Sequence, residues 1–288
     1  MELQFSHVDV FTRRPYSGNS LAVFTDAGGL SERQMLLITQ ELRHFETIFL
    51  QPTARAGTVR ARVFDLFEEL PFAGHPLIGA AAVLHHESRE PGARHWRFEL
   101  AQRTVDLRTE PTPDGYFALL DQGQPEFAGV VHDSGWVAAA FGLDADDLRA
   151  DLPVEVVSTG LKYLIVPVAA GGALARARIR RDITAALHSV GAQFAVLLDE
   201  SQLEIRHWNN DGVIEDAATG SAAGAIGAYR LRHGLACADQ TFLLSQGRFA
   251  GRPSTLRVQP EGSAERIHNV KVGGDVAMVG RGTLVARP

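Results

Sequence analysis

The chain has 288 residues, of which 45% are hydrophobic and 22% charged, and its formal net charge at pH 7 is -6. This composition is that of a globular protein long enough for two domains of roughly 140 residues each. The acidic balance argues against nucleic acid as a partner. No stretch approaches the ~20 apolar residues of a membrane span, and no signal core follows Met1, so we expect a cytoplasmic protein without a membrane partner.

The first half of the chain is predicted to consist mainly of short strands. Ser31 with Gln34 forms a capping box, which predicts an amphipathic helix through about Arg43. Strands are expected where β-branched and aromatic residues concentrate, several of them in period-two alternation, at 3–10, 47–50, 58–64, 96–100 and 116–120.

The second half repeats this texture around one further helix. Gly234 suits the C′ position of a helix that begins near Gly220. The predicted strands are 154–158, 163–168, 194–198, 203–208, 241–244 and 256–258.

Two glycine-headed segments are the strongest signal. Glu69 lies five residues before Gly74, Glu215 lies five residues before Gly220, and the two glutamates are 146 positions apart. Each glycine opens a run of small and apolar residues, which predicts a helix buried on all sides. We expect both helix N-termini to offer free N–H groups to one ligand in a cleft.

The repeat predicts two similar domains, each with many strands wrapped about one apolar helix. Polar, turn-rich residues near position 120 suit a junction. We therefore expect an N-terminal domain of residues 1–120 with a C-terminal strand at about 278–288, and a second domain of residues 121–277.

A series of short motifs, in order along nearly the whole chain, resembles the PhzF-like family of phenazine-biosynthesis isomerases. The motifs are Val8-Asp9-Val10-Phe11, Pro15-Tyr16-Ser17-Gly18-Asn19, Glu46, Glu69-Leu70-Pro71-Phe72-Ala73-Gly74-His75-Pro76, Ser158-Thr159-Gly160-Leu161, Glu215-Asp216 with Ala218-Thr219-Gly220-Ser221-Ala222, Gln246-Gly247 with Gly251-Arg252-Pro253-Ser254, and Val272-Gly273-Gly274. The resemblance implies the diaminopimelate-epimerase-like α+β fold, in which each of two similar domains is a barrel-like, mostly antiparallel sheet around a central buried helix. It also implies a cofactor-independent isomerase that acts on a small carboxylate-bearing substrate and forms a homodimer.

The resemblance assigns roles to individual residues. Glu46 takes the place of the catalytic glutamate, which removes a proton from carbon and returns it elsewhere on the substrate. His75 and Asp216 match the family's catalytic polar partners. Ser221 matches a substrate-binding serine, and the backbone N–H groups at Gly74 and Gly220 would bind a carboxylate or a developing enolate oxygen.

Other interpretations of these residues remain open. Glu46 alone is typical of a solvated charge, and His75, Asp216 and Ser221 all occupy positions where polar residues commonly cap helices. Ser221 with His75 and Asp216 also has the residue types of a serine hydrolase, although no G-x-S-x-G elbow is present. A third possibility is a ligand-binding protein that has lost the reaction.

No metal or zinc site is expected. The chain has no His-Glu-x-x-His run, and its single cysteine, Cys237, excludes a two-cysteine pair. His85 and His86 are interpreted as a surface helix terminus beside Glu87.

Three residues depart from the family pattern, and they limit what the resemblance implies about the substrate. Phe45 stands where family members often have a small hydroxyl residue before the catalytic glutamate. Ala217 and Ser20 stand where they often have proline. The phenazine precursor trans-2,3-dihydro-3-hydroxyanthranilate is therefore one candidate substrate among several.

Overall fold

The computed structural model describes residues 2–133, 135–170 and 172–288. The chain divides into two units, the first formed by Met1–Asp121 with Gly273–Pro288 and the second by Gln122–Val272. The final strand, Ile267–Leu284, therefore begins in the second unit and ends in the first.

The first unit holds eight strands of its own and two helices. The strands are β1 Leu3–Val10, β2 Asn19–Phe24, β3 Glu46–Pro52, β4 Thr58–Phe64, β5 Glu69–Leu70, β6 Arg94–Glu99, β7 Thr104–Thr112 and β8 Gly115–Asp121. The helices are α1 Glu32–Leu42 and α2 Gly74–Ser88.

The sheet of the first unit closes on itself around α2. Its strands are hydrogen-bonded in the order β1-β2-β3-β4-β6-β7-β8, and the last strand, β16 (Ile267–Leu284), bonds to both β8 and β1. The parallel pairs β2–β3 and β4–β6 each need a crossover connection, which α1 and α2 respectively supply.

Glycine lets α2 approach this sheet closely. A Cβ on Gly79 would lie 2.5 Å from Leu21 Cδ2 and 3.0 Å from Val10 Cγ2. Residues 74–83 of α2 are all buried, as the apolar run predicts. The opposite face of β1 to β4 packs against α1 through a separate cluster that includes Phe24, Met35 and Phe49.

The described residues of the second unit form seven strands of their own and four helices. The strands are β9 Glu126–Val131, β10 Val154–Ser158, β11 Lys162–Pro167, β12 Phe194–Asp199, β13 Glu204–His207, β14 Phe242–Gln246 and β15 Ser254–Gly262. The helices are α3 Gly135–Ala140, α4 Ala173–Arg176, α5 Thr184–Ser189 and α6 Gly220–Arg232, and Ala145–Asp147 forms a 3₁₀ turn.

The two units share one sequence of strand pairings. From β1 to β7 the pairs along the sheet run antiparallel, parallel, antiparallel, parallel, antiparallel. From β10 to β15 the order is the same, and α6, like α2, lies in the connection between the two strands of the second parallel pair. This shared order is the structural form of the sequence repeat and gives the predicted α+β fold of two similar sheet-and-helix domains.

Several local predictions are confirmed. Ser31 and Gln34 form the capping box of α1, and Gly234 follows the α6 cap residue with a φ of 71°. No helix in the described part of the chain is long and apolar enough to cross a membrane.

One local prediction is wrong. His85 is fully buried rather than part of a surface terminus. Its Nδ1 lies 2.8 Å from Thr109 Oγ1 and its Nε2 lies 3.0 Å from the Glu90 carbonyl oxygen. Both ring nitrogens therefore have partners, which removes the cost of burying an imidazole.

Candidate active site

The first unit brings Glu46 and His75 into direct contact. Glu46 is the first residue of β3 and His75 the second residue of α2. Glu46 Oε2 lies 3.0 Å from His75 Nδ1, and the two side chains are only 10% and 5% exposed. A carboxylate and an imidazole this close and this sheltered from water are able to exchange a proton.

Asn19 completes this polar group. Its Nδ2 lies 3.4 Å from the same His75 Nδ1 atom that faces Glu46. An imidazole nitrogen donates when it carries a proton and accepts when it does not, so Nδ1 serves the carboxylate or the amide in different protonation states. The bond that His75 makes therefore depends on whether Nδ1 carries the imidazole proton.

The start of α2 has no side-chain cap. Ala73 occupies the N-cap position with extended backbone and makes no capping hydrogen bond. The first N–H groups of a helix have no partner within the helix, and the helix dipole makes this end attractive to an anion. The backbone at Gly74 and His75 therefore has the character of an anion site beside Glu46.

In the second unit, Asp216 is the centre of a buried hydrogen-bond network. Thr219 Oγ1 donates to Asp216 Oδ2 at 2.6 Å, and the Ala218 N–H donates to Oδ1 at 3.3 Å. Gln246 Nε2 donates to Thr219 Oγ1 and to the Asp216 carbonyl oxygen, both at 2.9 Å. These contacts fix the orientation of the carboxylate just before α6.

The start of α6 also lacks a side-chain cap. Thr219 is the N-cap residue, but its hydroxyl bonds to Asp216 and Gln246 instead of to the helix. Ser221, the second helical residue, has its Oγ 2.8 Å from the hydroxyl of Tyr163. A phenol is not the general base of a serine hydrolase, so this pair suits a binding role for Ser221.

Each repeated glutamate has an arginine partner on the strand that precedes it. On β4, Arg62 holds Glu69 through two hydrogen bonds, one of them 2.8 Å from Nε to Oε1. On β13, Arg206 holds Glu215 with bonds of 2.9 and 2.7 Å. The two-point pairing fixes the turn that leads into each buried helix.

The arginines are themselves held by an aromatic residue two positions later. The Arg62 guanidinium lies 5.3 Å from the Phe64 ring centroid, and that of Arg206 lies 4.3 Å from the Trp208 centroid. Arg-x-aromatic, followed by glutamate and then by glycine, is therefore part of the repeat. The glutamates and glycines were recognised from the sequence and the arginines were missed, although Arg62 and Arg206 each stand two residues before an aromatic residue.

His207 is a further buried group near this network. Its Nδ1 lies 2.9 Å from the Ala195 carbonyl oxygen, which places a proton on Nδ1. Burial lowers the pKa of His207, against the opposing effect of the Asp216 charge. The ring is therefore neutral near pH 7, and it packs edge to face against Tyr163 at 5.6 Å between centroids.

The six predicted site residues thus form one group in each unit. Glu46, His75 and Gly74 lie together in the first unit, and Asp216, Gly220 and Ser221 surround the start of α6 in the second. Within residues 2–133, 135–170 and 172–288, no three His, Cys, Asp or Glu side chains converge as a metal site.

The supporting residues had no predicted role. Asn19, Thr219 and Gln246 lay inside the family-like motifs, so their positions were visible without their function. Tyr163 lay in a predicted strand and had no signal of its own.

Comparison with known families gives a match over almost the whole chain. The family model described as phenazine biosynthesis-like protein matches residues 8–282. A trans-2,3-dihydro-3-hydroxyanthranilate isomerase of Pseudomonas chlororaphis is 31% identical over 286 residues, covering 96% of this chain and 98% of the relative. An uncharacterized isomerase of Salmonella typhimurium is also 31% identical, over 97% of both chains.

Solved structures agree with this assignment. A predicted epimerase from Pseudomonas aeruginosa has a TM-score of 0.93 and 46% identity, with 99% of both chains covered. A hydroxyproline epimerase from Agrobacterium vitis, at 14% identity and a TM-score of 0.68 over 100% of this chain and 93% of that one, shares the fold.

The resemblance seen in the motifs is therefore confirmed by a match across both units. This chain belongs to the phenazine biosynthesis-like protein family and is an isomerase with the diaminopimelate-epimerase-like fold.

Proposed function

We propose that this isomerase moves a proton between two carbons of a small carboxylate-bearing substrate, with Glu46 as the group that takes and returns it. The observation that carries the proposal is the buried contact between Glu46 and His75 at the uncapped start of α2. This part of the first unit combines a base, an imidazole able to hydrogen-bond the ionised base, and an anion site.

The reaction proceeds in two balanced steps. Ionised Glu46 removes a carbon-bound proton, and the electron pair of the C–H bond moves into the substrate as an enolate or an extended anion. The neutral Glu46 carboxyl then returns the proton to another carbon, and the electrons reform the shifted double bond. His75 Nδ1, as a donor, stabilises Glu46 while the carboxylate is ionised, before the proton is taken and after it is returned.

The other predicted residues are proposed to bind the substrate. The N–H groups at Gly74 and Gly220 suit a carboxylate, because helix N-termini favour negative charge. Asp216 and Ser221 each present an oriented oxygen beside α6, and both are suited to the polar hydrogens of an amino or hydroxyl substituent. The predicted homodimer remains part of the proposal.

The first compound to test is trans-2,3-dihydro-3-hydroxyanthranilate, because relatives 30 to 32% identical to this chain are named for its isomerisation. Phe45, beside the base, is the reason to extend the panel to other small cyclic and amino carboxylates. Each compound is incubated with enzyme in D₂O, and product formation and deuterium content are followed by chromatography and proton NMR.

Glu46→Gln is expected to slow turnover by ~10²–10⁴-fold, because the amide keeps the shape of the side chain and cannot take up the proton. Glu41→Gln on the exposed surface of α1 is the matched control and should turn over at the wild-type rate. His75→Ala and Asp216→Asn should lower the rate by smaller factors. A Glu46→Gln protein that folds normally and keeps the wild-type rate contradicts the assignment.

Deuterium content gives a second test of the single base. Solvent deuterium enters the product when the Glu46 carboxyl proton exchanges before it is returned. Complete retention of the substrate hydrogen means instead that return is faster than exchange. Both outcomes are compatible with Glu46, provided that Glu46→Gln slows product formation and label incorporation by the same factor.

A further inference from the structure

Two histidines and a serine form a polar cluster on the first unit, here called the two-histidine cluster: His7 on β1, Ser20 on β2 and His44 just before β3. His7 Nε2 lies 2.8 Å from Ser20 Oγ, and His44 Nδ1 lies 3.0 Å from the same oxygen. The two imidazole rings are 4.9 Å apart between centroids, tilted by 59°. Two ring nitrogens from separate elements thus point at one atom.

The cluster lies on the sheet face opposite to Glu46. Leu21 faces α2, because a Cβ on Gly79 would touch its side chain, and Glu46 is its register partner on β3. Ser20 alternates to the other face of β2, the face on which Phe24 packs against α1. The cluster is therefore separate from the proposed base.

Local backbone geometry places His44 beside Ser20. Helix α1 ends at Leu42, and the left-handed conformation of its cap residue Arg43, with a φ of 58°, turns the chain back toward the sheet. All three side chains of the cluster are partly exposed, so an ion from solvent is able to reach them.

The single hydroxyl proton of Ser20 cannot donate to both ring nitrogens at once. A hydroxyl has one proton to donate, so one ring nitrogen accepts it and the other ring must donate its own N–H to Oγ. A divalent cation makes no such distinction, because it accepts a lone pair from each neutral imidazole at once.

We propose that the two-histidine cluster is a binding site for a first-row transition-metal ion, with Zn²⁺, Ni²⁺ and Cu²⁺ as the favoured ions. Imidazole suits these metals, and zinc–nitrogen bonds are about 2.0–2.1 Å long. His7 Nε2 and His44 Nδ1 already lie within 3.0 Å of the same Ser20 oxygen, so small side-chain rotations bring them to a shared ion. The Ser20 oxygen and water complete the coordination.

The number and type of ligands determine the metal affinity that we expect. In the described ranges of the chain, no third His, Cys, Asp or Glu joins a metal group, so two imidazoles supply most of the affinity. Binding should be reversible and weaker than at a structural four-ligand zinc site. It should also fall with pH, because each imidazole must be deprotonated to act as a ligand.

The test is a calorimetric titration of tag-free protein with ZnCl₂ and with NiCl₂ at pH 7.5 and pH 5.5. We expect one ion per chain at pH 7.5, with affinity at least tenfold lower at pH 5.5. A His7→Gln and His44→Asn double variant is matched to the geometry, since the Gln amide reaches the position of Nε2 and the Asn amide that of Nδ1. It keeps hydrogen bonds to Ser20 and loses both ligands.

The double variant should lose at least tenfold in affinity for both ions, and His95→Ala, on the exposed side of β6, should lose nothing. Ser20→Ala should weaken binding by a smaller factor. Wild-type affinity in a folded double variant would assign binding to other histidines and overturn the proposal. Absence of binding by the wild-type chain would overturn it as well.

Discussion

A buried titratable side chain makes the stability of this protein depend on pH, and His207 is the clearest example. Its neutral ring is held by the Ala195 carbonyl, and burial lowers its pKa. In the unfolded chain the same imidazole takes up a proton near its ordinary pKa of about 6.5. The unfolded state therefore binds more protons than the folded state in mildly acidic solution.

The sign of the resulting pH dependence follows from this difference. The contribution of His207 to stability is fully present above about pH 6.5 and is lost as the pH falls below that value, by up to about 1.4 kcal/mol per pH unit. Urea unfolding at several pH values between 7.5 and 5 measures the slope. His207→Asn, whose amide N–H is able to donate to Ala195, should flatten it, whereas His95→Asn on the surface should not. An unchanged slope in His207→Asn would show that other groups cause it.

His85 shows what residue types cannot reveal. Two histidines followed by glutamate near the end of a helix are typical of a surface terminus. Burial of His85 depends on Thr109, which is 24 positions away and also accepts a hydrogen bond from Trp96 at 2.7 Å. Such distant partners leave no local signal in the sequence.

At the scale of elements, the two arginine–glutamate pairs each fix the turn that leads into a buried helix, but they differ in exposure to solvent. The Arg206 and Glu215 side chains are 2% and 14% exposed, whereas those of Arg62 and Glu69 are 19% and 26% exposed. Arg206 also donates to the carbonyl oxygen of Leu174 at 2.8 Å. The same substitution should therefore have unequal costs in the two units.

Arg206→Met is expected to destabilise the protein by about 3–5 kcal/mol, because it leaves the Glu215 carboxylate buried without its partner. Arg62→Met should cost about 1 kcal/mol or less, since water is able to solvate Glu69. Unfolding in urea, monitored by circular dichroism, compares the two variants. Equal losses of unfolding free energy in the two variants would mean that burial of the ion pair does not determine its contribution to stability.

The glycines of α2 are predicted to divide into two kinds. Gly79→Ala should cost about 1–3 kcal/mol of stability, because the added methyl group meets Leu21 and Val10. Gly74 has ordinary helical backbone, so Gly74→Ala should fold well and instead weaken carboxylate binding by screening the helix N–H groups. Thermal unfolding and the Kd of the best carboxylate separate the two effects. Unchanged affinity in Gly74→Ala would argue against an anion site there.

Sequence patterns identified some elements better than others. The capping box that starts α1 and the strand at 58–64 were predicted at the positions where the structure has them. Their sequence signals are local, which is why they could be recognised. Part of β16 was predicted as a C-terminal strand at about 278–288, whereas β9 and the start of β16 were missed because Gly129 and the glycines at 273 and 274 interrupt the β-branched runs by which strands are recognised. Strand pairing in β16 comes from its neighbours rather than from its own composition.

At the scale of the whole molecule, the internal repeat was the most reliable guide. Glu69 with Gly74 and Glu215 with Gly220 predicted two buried helices, and the two units share one order of strand pairings around them. The identity of the isomerase family followed from motifs that run through both units. The networks around His75 and Asp216 could not be derived in this way, because their partners come from strands and loops far apart in the chain.

The path of β16 has a consequence for how the protein is made. This strand pairs with β1 from Leu3 opposite Leu284 to Val10 opposite Val276, so β1 lacks this partner until β16 has been synthesised. Every residue of Gln122–Val272 leaves the ribosome before the closing segment of the first unit does. On the ribosome, the second unit is therefore able to finish folding earlier, while the sheet that holds Glu46 and His75 stays open until β16 has emerged.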